Sequence, residues 1–520
     1  MKVGIVSIYG FRPHVEHLFY LNQLLDNNGH EVYGLVCDAV VPACYGRLLR
    51  QRTKLSECPR CMLGGLRSYP IRHIDKINPK DLEIIGLESG RLEKLSISST
   101  ATLTRIETET ELLDEEPRNI QQRLLPAINM AYASTRRWID RCKLDAIVGF
   151  NGRMDMTAGV FAAAHDAGIR YISLERTWFG HGLQLIPDSN CLATTESDRI
   201  TRIFRDQPLC KDQALLAAGQ LAKRLLRRNE LEWRVYNRSA ISSTWPIRAN
   251  GLKVLIIPSS NNEFVGSPDW ENGWVDNTQA LDEMIEHLGL SPDNCIIRCH
   301  PNWAERIGRI GGERSERHYT EWGRRRGIYV VPSISHTDTY DLLREADLAV
   351  LNGGSTAFEA AAFGKPVLCL GPSKYQESGF SIHVNGPDEW KKVDLLENHD
   401  ARLATRKVLR FLYTQMRRFP QFVDYVRADS TTRYRYYSGA DVGRLEQQIH
   451  TGRVSADDTI VAESERYEDE VIDMMRAQRW AELAEWVEPR PNLEQIKIGR
   501  RSVLRLLDGL RDRLPRGDRG

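Results

Sequence analysis

The chain lacks any apolar run approaching the roughly 18 residues needed to cross a bilayer, and its start, MKVGIVSIYG, passes directly into a strand-like segment with no charged leader or cleavage site. A cytoplasmic protein is expected. Charge of one sign is also lacking, since 71 Lys and Arg face 70 Asp and Glu for a net charge of +1. A nucleic-acid binder needs a basic excess to displace counterions from phosphates, so that class is excluded, as is an acidic disordered chain. Ten cysteines in 520 residues are too few for a disulfide scaffold and are expected to be thiols or metal ligands. There are no internal repeats and no low-complexity stretch. What remains, at 41% hydrophobic residues, is a globular protein of two or three domains of about 100–200 residues each.

The hydrophobic pattern alternates short apolar strands with amphipathic helices. In the first half it predicts a strand over Val3–Ile8, a helix over Val15–Asn28 and a strand over Val32–Val36. The same order returns as a strand over Leu144–Gly149, a helix over Thr157–Ala167 closed by Gly168, and a strand over Tyr171–Leu174. A second series follows a charged helical stretch, with strands predicted at Lys253–Ile257, Cys295–Arg298, Ile328–Val331, Leu348–Leu351 and Val367–Leu370. Helices are predicted between them at Thr278–Leu288, Thr339–Glu345 and Ser355–Phe363. Such alternation implies parallel sheets covered on both faces. The fold expected is therefore α/β, two doubly wound Rossmann-like domains facing a central cleft, with a helical tail. The boundaries read as 1–245, 246–400 and 401–520. The last segment, 497–520, carries eight Lys or Arg against three Asp, and Val503, Leu506, Leu507, Leu510 and Leu514 share one helical face. Two readings stand for it: a basic helix lying on an anionic membrane at its inner face, and a terminal helix packed on the protein.

The chemistry concentrates at the carboxyl ends of the predicted strands, where ligands bind in open α/β sheets. In the second half a strand runs into Asn352-Gly353-Gly354 and then Ser355-Thr356, a glycine turn leading into a helix start whose free amides favour an anion. Glu359 lies one turn beyond Ser355, placed to accept hydrogen bonds from ribose hydroxyls. His300, before Pro301, ends another strand and points a donor toward a phosphate oxygen. The loop Pro258–Glu263 offers Ser260 and Glu263 as further donor-side groups. In the first half Asn151 and Arg153 follow one strand and Glu175 ends the next, where an acceptor would sit. Glu175 is read as a general base or a nucleophile, or as half of a structural ion pair with Arg153 or Arg176. His14 and His181 stand in loops of the same half.

The residues His300-Pro301, Asp341-Leu342-Leu343 leading to Ala346-Asp347, Ser355-Thr356, Glu359-Ala360 and Gly364-Lys365-Pro366 resemble those of the capsule polysaccharide biosynthesis family, GT-B glycosyltransferases related to bacterial Kdo transferases. The resemblance covers about 120 residues. It implies a glycosyltransferase that takes a nucleotide-sugar donor and passes its sugar to a surface glycan, a lipid-linked glycan or a small acceptor. It also implies that His300, Ser355 and Thr356 hold the donor phosphate. The sequence departs from relatives at Glu175-Arg176, where they carry an acidic pair and glycine, and at Leu351, where many retaining GT-B enzymes have a glutamate. No Asp-x-Asp pair follows a strand in the manner of a magnesium site, so transfer without a catalytic metal is expected. A nucleotide-sugar epimerase, a polyol-phosphate transferase and a non-catalytic nucleotide- or glycan-binding partner in a polysaccharide assembly complex are the alternatives on a comparable fold.

Cys37, Cys44, Cys58 and Cys61 fall at spacings C-x6-C-x13-C-x2-C in a segment, 37–65, read as one long loop. Four thiolates there would hold a structural zinc ion or an iron–sulfur cluster, and the remaining alternative is four separate thiols.

Overall fold

The computed structural model describes residues 1–232, 239–248, 251–306, 310–392 and 398–504. The first domain is built from β1 (Lys2–Val6), α1 (His14–Asn27), β2 (Glu31–Val36), α2 (Tyr45–Leu49), α3 (Lys54–Gly64), β3 (His73–Lys76), α4 (Ser89–Thr104), α5 (Glu115–Cys142), β4 (Ala146–Phe150), α6 (Asp155–Asp166), β5 (Arg170–Arg176) and β6 (Leu183–Pro187). Its sheet runs β3-β2-β1-β4-β5-β6, parallel throughout except for the antiparallel edge strand β6. The central strands read Lys-Val-Gly-Ile-Val and Ala-Ile-Val-Gly-Phe because both faces of the sheet are covered, leaving almost no position for a polar side chain. Helix α6 packs on α5 at Gly159, where a Cβ atom would stand 2.5 Å from the carbonyl oxygen of Ile128.

After α7 (Thr195–Phe204) and α8 (Lys211–Leu225), the second domain comprises β7 (Val254–Ile257), α9 (Asn277–His287), β8 (Cys295–Arg298), α10 (Glu313–Arg326), β9 (Tyr329–Val331), α11 (Thr339–Glu345), β10 (Leu348–Leu351), α12 (Ala357–Ala362), β11 (Val367–Leu370) and β12 (Ile382–Val384). Its sheet is wholly parallel in the order β12-β11-β10-β7-β8-β9. The expected pair of doubly wound domains is present. In each sheet the strand order reverses beside the first strand, between β1 and β4 and between β7 and β10, so each domain opens its ligand crevice at the carboxyl ends of those strands.

The last hundred residues differ from a separate helical tail. They form α13 (Ala401–Tyr413), β13 (Val426–Ala428), β14 (Tyr434–Tyr437), α14 (Gly443–Thr451), α15 (Arg466–Arg476), α16 (Trp480–Glu485) and β15 (Gln495–Ile496), with β13, β14 and β15 paired antiparallel. Val408, Leu409, Phe411 and Leu412 of α13 are buried in the second domain's core, whereas Phe422, Val426, Tyr436, Leu445 and Ile449 are buried in the first. Helix α8 lies before residue 245 yet its alanine face packs in the second core as well, because Ala214, Ala217, Ala218 and Ala222 let it approach closely. Of the basic end, Arg500 donates to the Leu63 carbonyl at 2.7 Å and the Arg501 amide to the Ser68 carbonyl at 2.8 Å, which docks that stretch on the first domain. Leu506, Leu507, Leu510 and Leu514, and with them most of the expected amphipathic face, lie outside the described residues. Among the described residues no helix is long and apolar enough to cross a membrane.

The domains meet across their loops. The backbone amide of Thr194 donates to Asp269 at 2.7 Å, the Trp270 indole to the Leu192 carbonyl at 2.9 Å, and Gln376 to Asp198 at 2.7 Å. Glu107, just beyond α4, is buried against the second domain and accepts from the Asn261 amide at 3.0 Å and from the Ser315 hydroxyl.

Candidate active site

On the first domain's side the crevice is lined by His14, at the start of α1, and by Glu175, at the end of β5. The His14 Nε2 nitrogen bonds Glu175 Oε1, and that oxygen also accepts the Arg176 amide at 3.0 Å. The other oxygen, Oε2, accepts from Asn151 Nδ2 at 3.2 Å. Burial works to raise the Glu175 carboxyl, but the charge and hydrogen bond of His14, with the Arg176 amide and Asn151, outweigh it and hold the group at about 2. A carboxylate this strongly held is a poor proton acceptor near neutral pH and a good orienting partner for an imidazole. With Nε2 turned to the carboxylate, Nδ1 is the ring nitrogen left for another partner; it carries a lone pair when the ring is neutral and a hydrogen when the ring is an imidazolium. That Nδ1 is buried and has no hydrogen-bond partner.

Asn151 earns its place through a left-handed backbone, φ 67°, just past β4. Its Oδ1 accepts the amides of Arg153 and Met154 at 3.1 and 3.2 Å, which turns the chain into α6 and aims Nδ2 at Glu175. Arg153 turns the other way: its guanidinium donates to Ser98 and Thr102 of α4 at 2.7 and 3.2 Å. The ion pair read between Glu175 and Arg153 is thus replaced by the pair with His14. His181 leaves the crevice too, since its Nδ1 accepts the Ala428 amide of β13 at 3.0 Å and burial beside Arg490 and Arg417 lowers it to about 3.

On the second domain's side the two loops at the strand-order reversal are joined by Asn352. Its Oδ1 accepts the Ser259 amide at 2.6 Å and its Nδ2 donates to the Ser259 carbonyl at 2.9 Å. Gly354 follows, where a Cβ would lie 2.7 Å from the Ser259 hydroxyl, so a larger residue would have to push that hydroxyl aside. Ser260 is buried and accepts from the Trp303 indole at 2.6 Å, a bond that ties this loop to the one after β8. His300 caps the short turn in that loop, accepting the Asn302 amide at 3.1 Å through Nδ1. Glu263 stands on the turn after Ser260, close enough for its charge to act on Tyr45 of the first domain. Beside it Asn262 is fully buried with neither Oδ1 nor Nδ2 hydrogen bonded, an unusual cost for an interior amide.

The donor-side helix is shorter than expected. Helix α12 begins at Ala357, so Ser355 and Thr356 form the turn before it. Ser355 Oγ accepts from Arg224 of α8 at 2.6 Å. Glu359 does not face the crevice: it is 1% exposed, forms an ion pair with Arg224, whose Nε stands 3.1 Å away, and accepts from the Tyr340 hydroxyl at 3.0 Å. Burial raises its carboxyl in spite of the Arg224 charge. The ribose contact expected of it is therefore replaced by a buried network that also includes Glu232, 3.4 Å from Arg224 Nε.

The four cysteines are not gathered into the expected cage among the described residues. Among the described residues no three His, Cys, Asp or Glu side chains stand together in a way that could hold a metal ion. Cys58 and Cys61 fall inside α3, with Pro59 between them, instead of in a loop knuckle. Cys61 accepts the Gly10 amide at 3.2 Å and donates to the Ile8 carbonyl at 3.8 Å, as a thiol does. Burial pushes the Cys61 thiol up to about 11 and the Cys44 thiol to about 12. Together with Ile8, Tyr9, Phe11 and Met156 they line a small apolar cavity of about 30 Å³.

Sequence reasoning passed over Lys374, in the loop after β11, and Asn262, and it gave His14 a minor place. The loop after β11 occupies the same carboxyl edge as the glycine turn, and that position was the available signal for Lys374.

No family model and no curated protein matches the chain. Among solved structures it is similar to a β-Kdo 2,4-transferase, KpsC, of Thermosulfurimonas dismutans, at 13% identity over 63% of this chain and 87% of that one, with a TM-score of 0.34. It is similar to a UDP-GlcNAc 2-epimerase of Methanocaldococcus jannaschii, at 11% identity over 78% of this chain and 98% of that one, TM-score 0.25. A third likeness is to MurG of Acinetobacter baumannii, at 12% identity over 92% and 100% of the two chains, TM-score 0.23.

Proposed function

We propose that the protein is a glycosyltransferase of GT-B architecture that moves a sugar from a nucleotide donor to a glycan or glycan-like acceptor. The observation that carries this reading is the His14–Glu175–Asn151 arrangement at one domain's crevice, opposite the Ser259–Glu263 and Asn352–Thr356 loops at the other's. An imidazole oriented by a carboxylate suits deprotonation of an acceptor hydroxyl. Two glycine- and hydroxyl-lined loops at a strand-order reversal suit a nucleotide.

In this reading the donor lies on the second domain, with His300, Ser355, Thr356 and the polar loop at Ser260, Asn262 and Glu263 around its phosphate and sugar. The acceptor enters beside β4 and β5. The acceptor oxygen attacks the anomeric carbon, the electron pair of the sugar–phosphate bond leaves with the phosphate oxygen, and the hydroxyl proton passes to His14 Nδ1. The resulting imidazolium is stabilised by Glu175, both of whose oxygens are already engaged, which favours an orienting role for it over that of nucleophile. Closure of the loops excludes water so that the sugar is transferred and not hydrolysed. Neutralisation of the leaving phosphate is assigned to protein cations and loop amides, without a metal.

The test is a thermal-shift screen of the full chain against CMP, UDP, GDP and ADP, followed by measurement of nucleotide release from the corresponding sugar donors with candidate acceptors. One nucleotide raising the melting temperature, with the rise lost in His300→Ala, is the expected result. No response to any of the four, and no nucleotide release, sinks the reading. Activity abolished by EDTA and restored by magnesium would remove its metal-independent part.

A further inference from the structure

The crevice holds one cation for which the arrangement so far has no use. Lys374 follows β11 and sits between the domains, lining a narrow gap with Thr177, Trp178, Gln184, Thr194 and Ser197 of the first domain. Its Nζ lies 5.7 Å from the centre of the Trp178 ring. Among the described residues no carboxylate comes within ion-pair distance of it, although it is only partly exposed. The fields of Glu175 on the first domain and Glu263 on the second both act on it, so it stands between the two sides of the crevice. The next residue, Tyr375, donates its hydroxyl to the Gly354 carbonyl at 3.1 Å, which ties the loop that carries Lys374 to the glycine turn.

We propose that Lys374 is the residue that contacts and neutralises the donor's phosphate in the closed crevice. This rests on the glycosyltransferase reading and adds a named contact to it. A partly buried ammonium without a bonded counter-ion is a costly group to keep, and a phosphate arriving beside the Gly353–Thr356 turn would supply the missing anion. Burial lowers the lysine's pKa, with the charges of Cys191, Glu175 and Glu263 acting the other way. When the bond from the anomeric carbon to the phosphate oxygen breaks, its electron pair stays on that oxygen and the leaving group gains one negative charge. Lys374 offsets that charge by attraction alone, with no proton changing hands. Trp178, packed on Phe358 of α12 at 5.1 Å between ring centres, presents its ring to the lysine's ammonium from the opposite domain, so the contact forms only when the domains are together.

The experiment is titration calorimetry of the full chain, as wild type, Lys374→Gln and Lys374→Arg, with CMP, UDP, GDP and ADP and with the four matching nucleosides. The expected result is one nucleotide bound by wild type, at least tenfold weaker binding of it to Lys374→Gln, near-normal binding to Lys374→Arg, and an unchanged affinity for the nucleoside. Equal nucleotide affinity in wild type and Lys374→Gln overturns the Lys374 assignment and leaves the glycosyltransferase reading intact. An equal loss for nucleoside and nucleotide also overturns it, because the lysine would then shape the site and not meet the phosphate. If wild type binds none of the four nucleotides, the functional reading and the assignment fall together.

Discussion

Glu107 of the first domain holds the Asn261 backbone amide of the second at 3.0 Å. The contact ties the loop that carries Ser260, Asn262 and Glu263 to the first domain, so one carboxyl group takes part both in the domain contact and in the shape of that loop.

Burial raises that carboxyl to about 7, with Ser315 and Asn261 pulling it back only in part. A folded value above the unfolded one means that its contribution to stability is complete below pH 4.5 and is lost as the pH rises through about 7. A shift of this size corresponds to about 3 kcal/mol. Melting curves of wild type and Glu107→Gln between pH 5 and 8 test it. The gap between the two is expected to move in favour of the variant with rising pH, and a constant gap would rule the idea out.

His14 and Glu175 act as a unit in the proposed transfer. His14→Ala is expected to lower nucleotide release in the presence of acceptor by about 10²–10⁴-fold. Glu175→Gln should lower it as well, and the double variant little further, as is usual for groups in one relay. Losses that simply multiply in the double variant would show that the two residues act separately.

Gly159 sets two opposing effects against each other. Alanine has the better helix propensity, by about 1 kcal/mol. At this position, however, the added Cβ would lie 2.5 Å from a backbone oxygen of α5, which cannot swing aside as a side chain can. Overpacking of this kind costs about 1–3 kcal/mol, so the clash wins. Gly159→Ala should unfold at lower denaturant than wild type, and unchanged or increased stability would contradict the close packing of the two helices.

The cysteines make a further prediction. Because no three candidate ligands stand together among the described residues, purified protein is expected to contain no stoichiometric zinc or iron, and a chelator to leave its melting temperature unchanged. Metal analysis finding one equivalent of zinc that disappears in Cys58→Ser/Cys61→Ser would restore the cage.

The strands were legible because a parallel sheet buried on both faces leaves apolar runs such as Val254–Ile257 and Val367–Leu370 that resemble nothing else in the chain. Strand β3, His-Ile-Asp-Lys, is half exposed at the sheet's edge and carries no such signal. Helices α2 and α3 were hidden by the cysteine spacing and by Pro59, which together favoured a loop. Asn151 and Glu175, which the structure brings together, were legible from their place at strand ends. The role of His14 needed a partner from the far side of the domain, which no local pattern displays. Glu359 was misplaced because its spacing from Ser355 assumes a helix beginning there, whereas the helix starts later and Arg224 of α8 draws the carboxylate inward.

The path of the chain bears on how the protein is made. Its first half leaves the ribosome without Phe422, Val426, Tyr436, Leu445 and Ile449, side chains that complete that half's own interior. The second domain emerges in between and has most of its own strands and helices at hand before the first can finish. Synthesis therefore exposes an unfinished amino-terminal core for most of its duration, and a premature stop near residue 400 would release a polypeptide with both interiors open: the second without Val408–Leu412, the first without the strands and helix that close it.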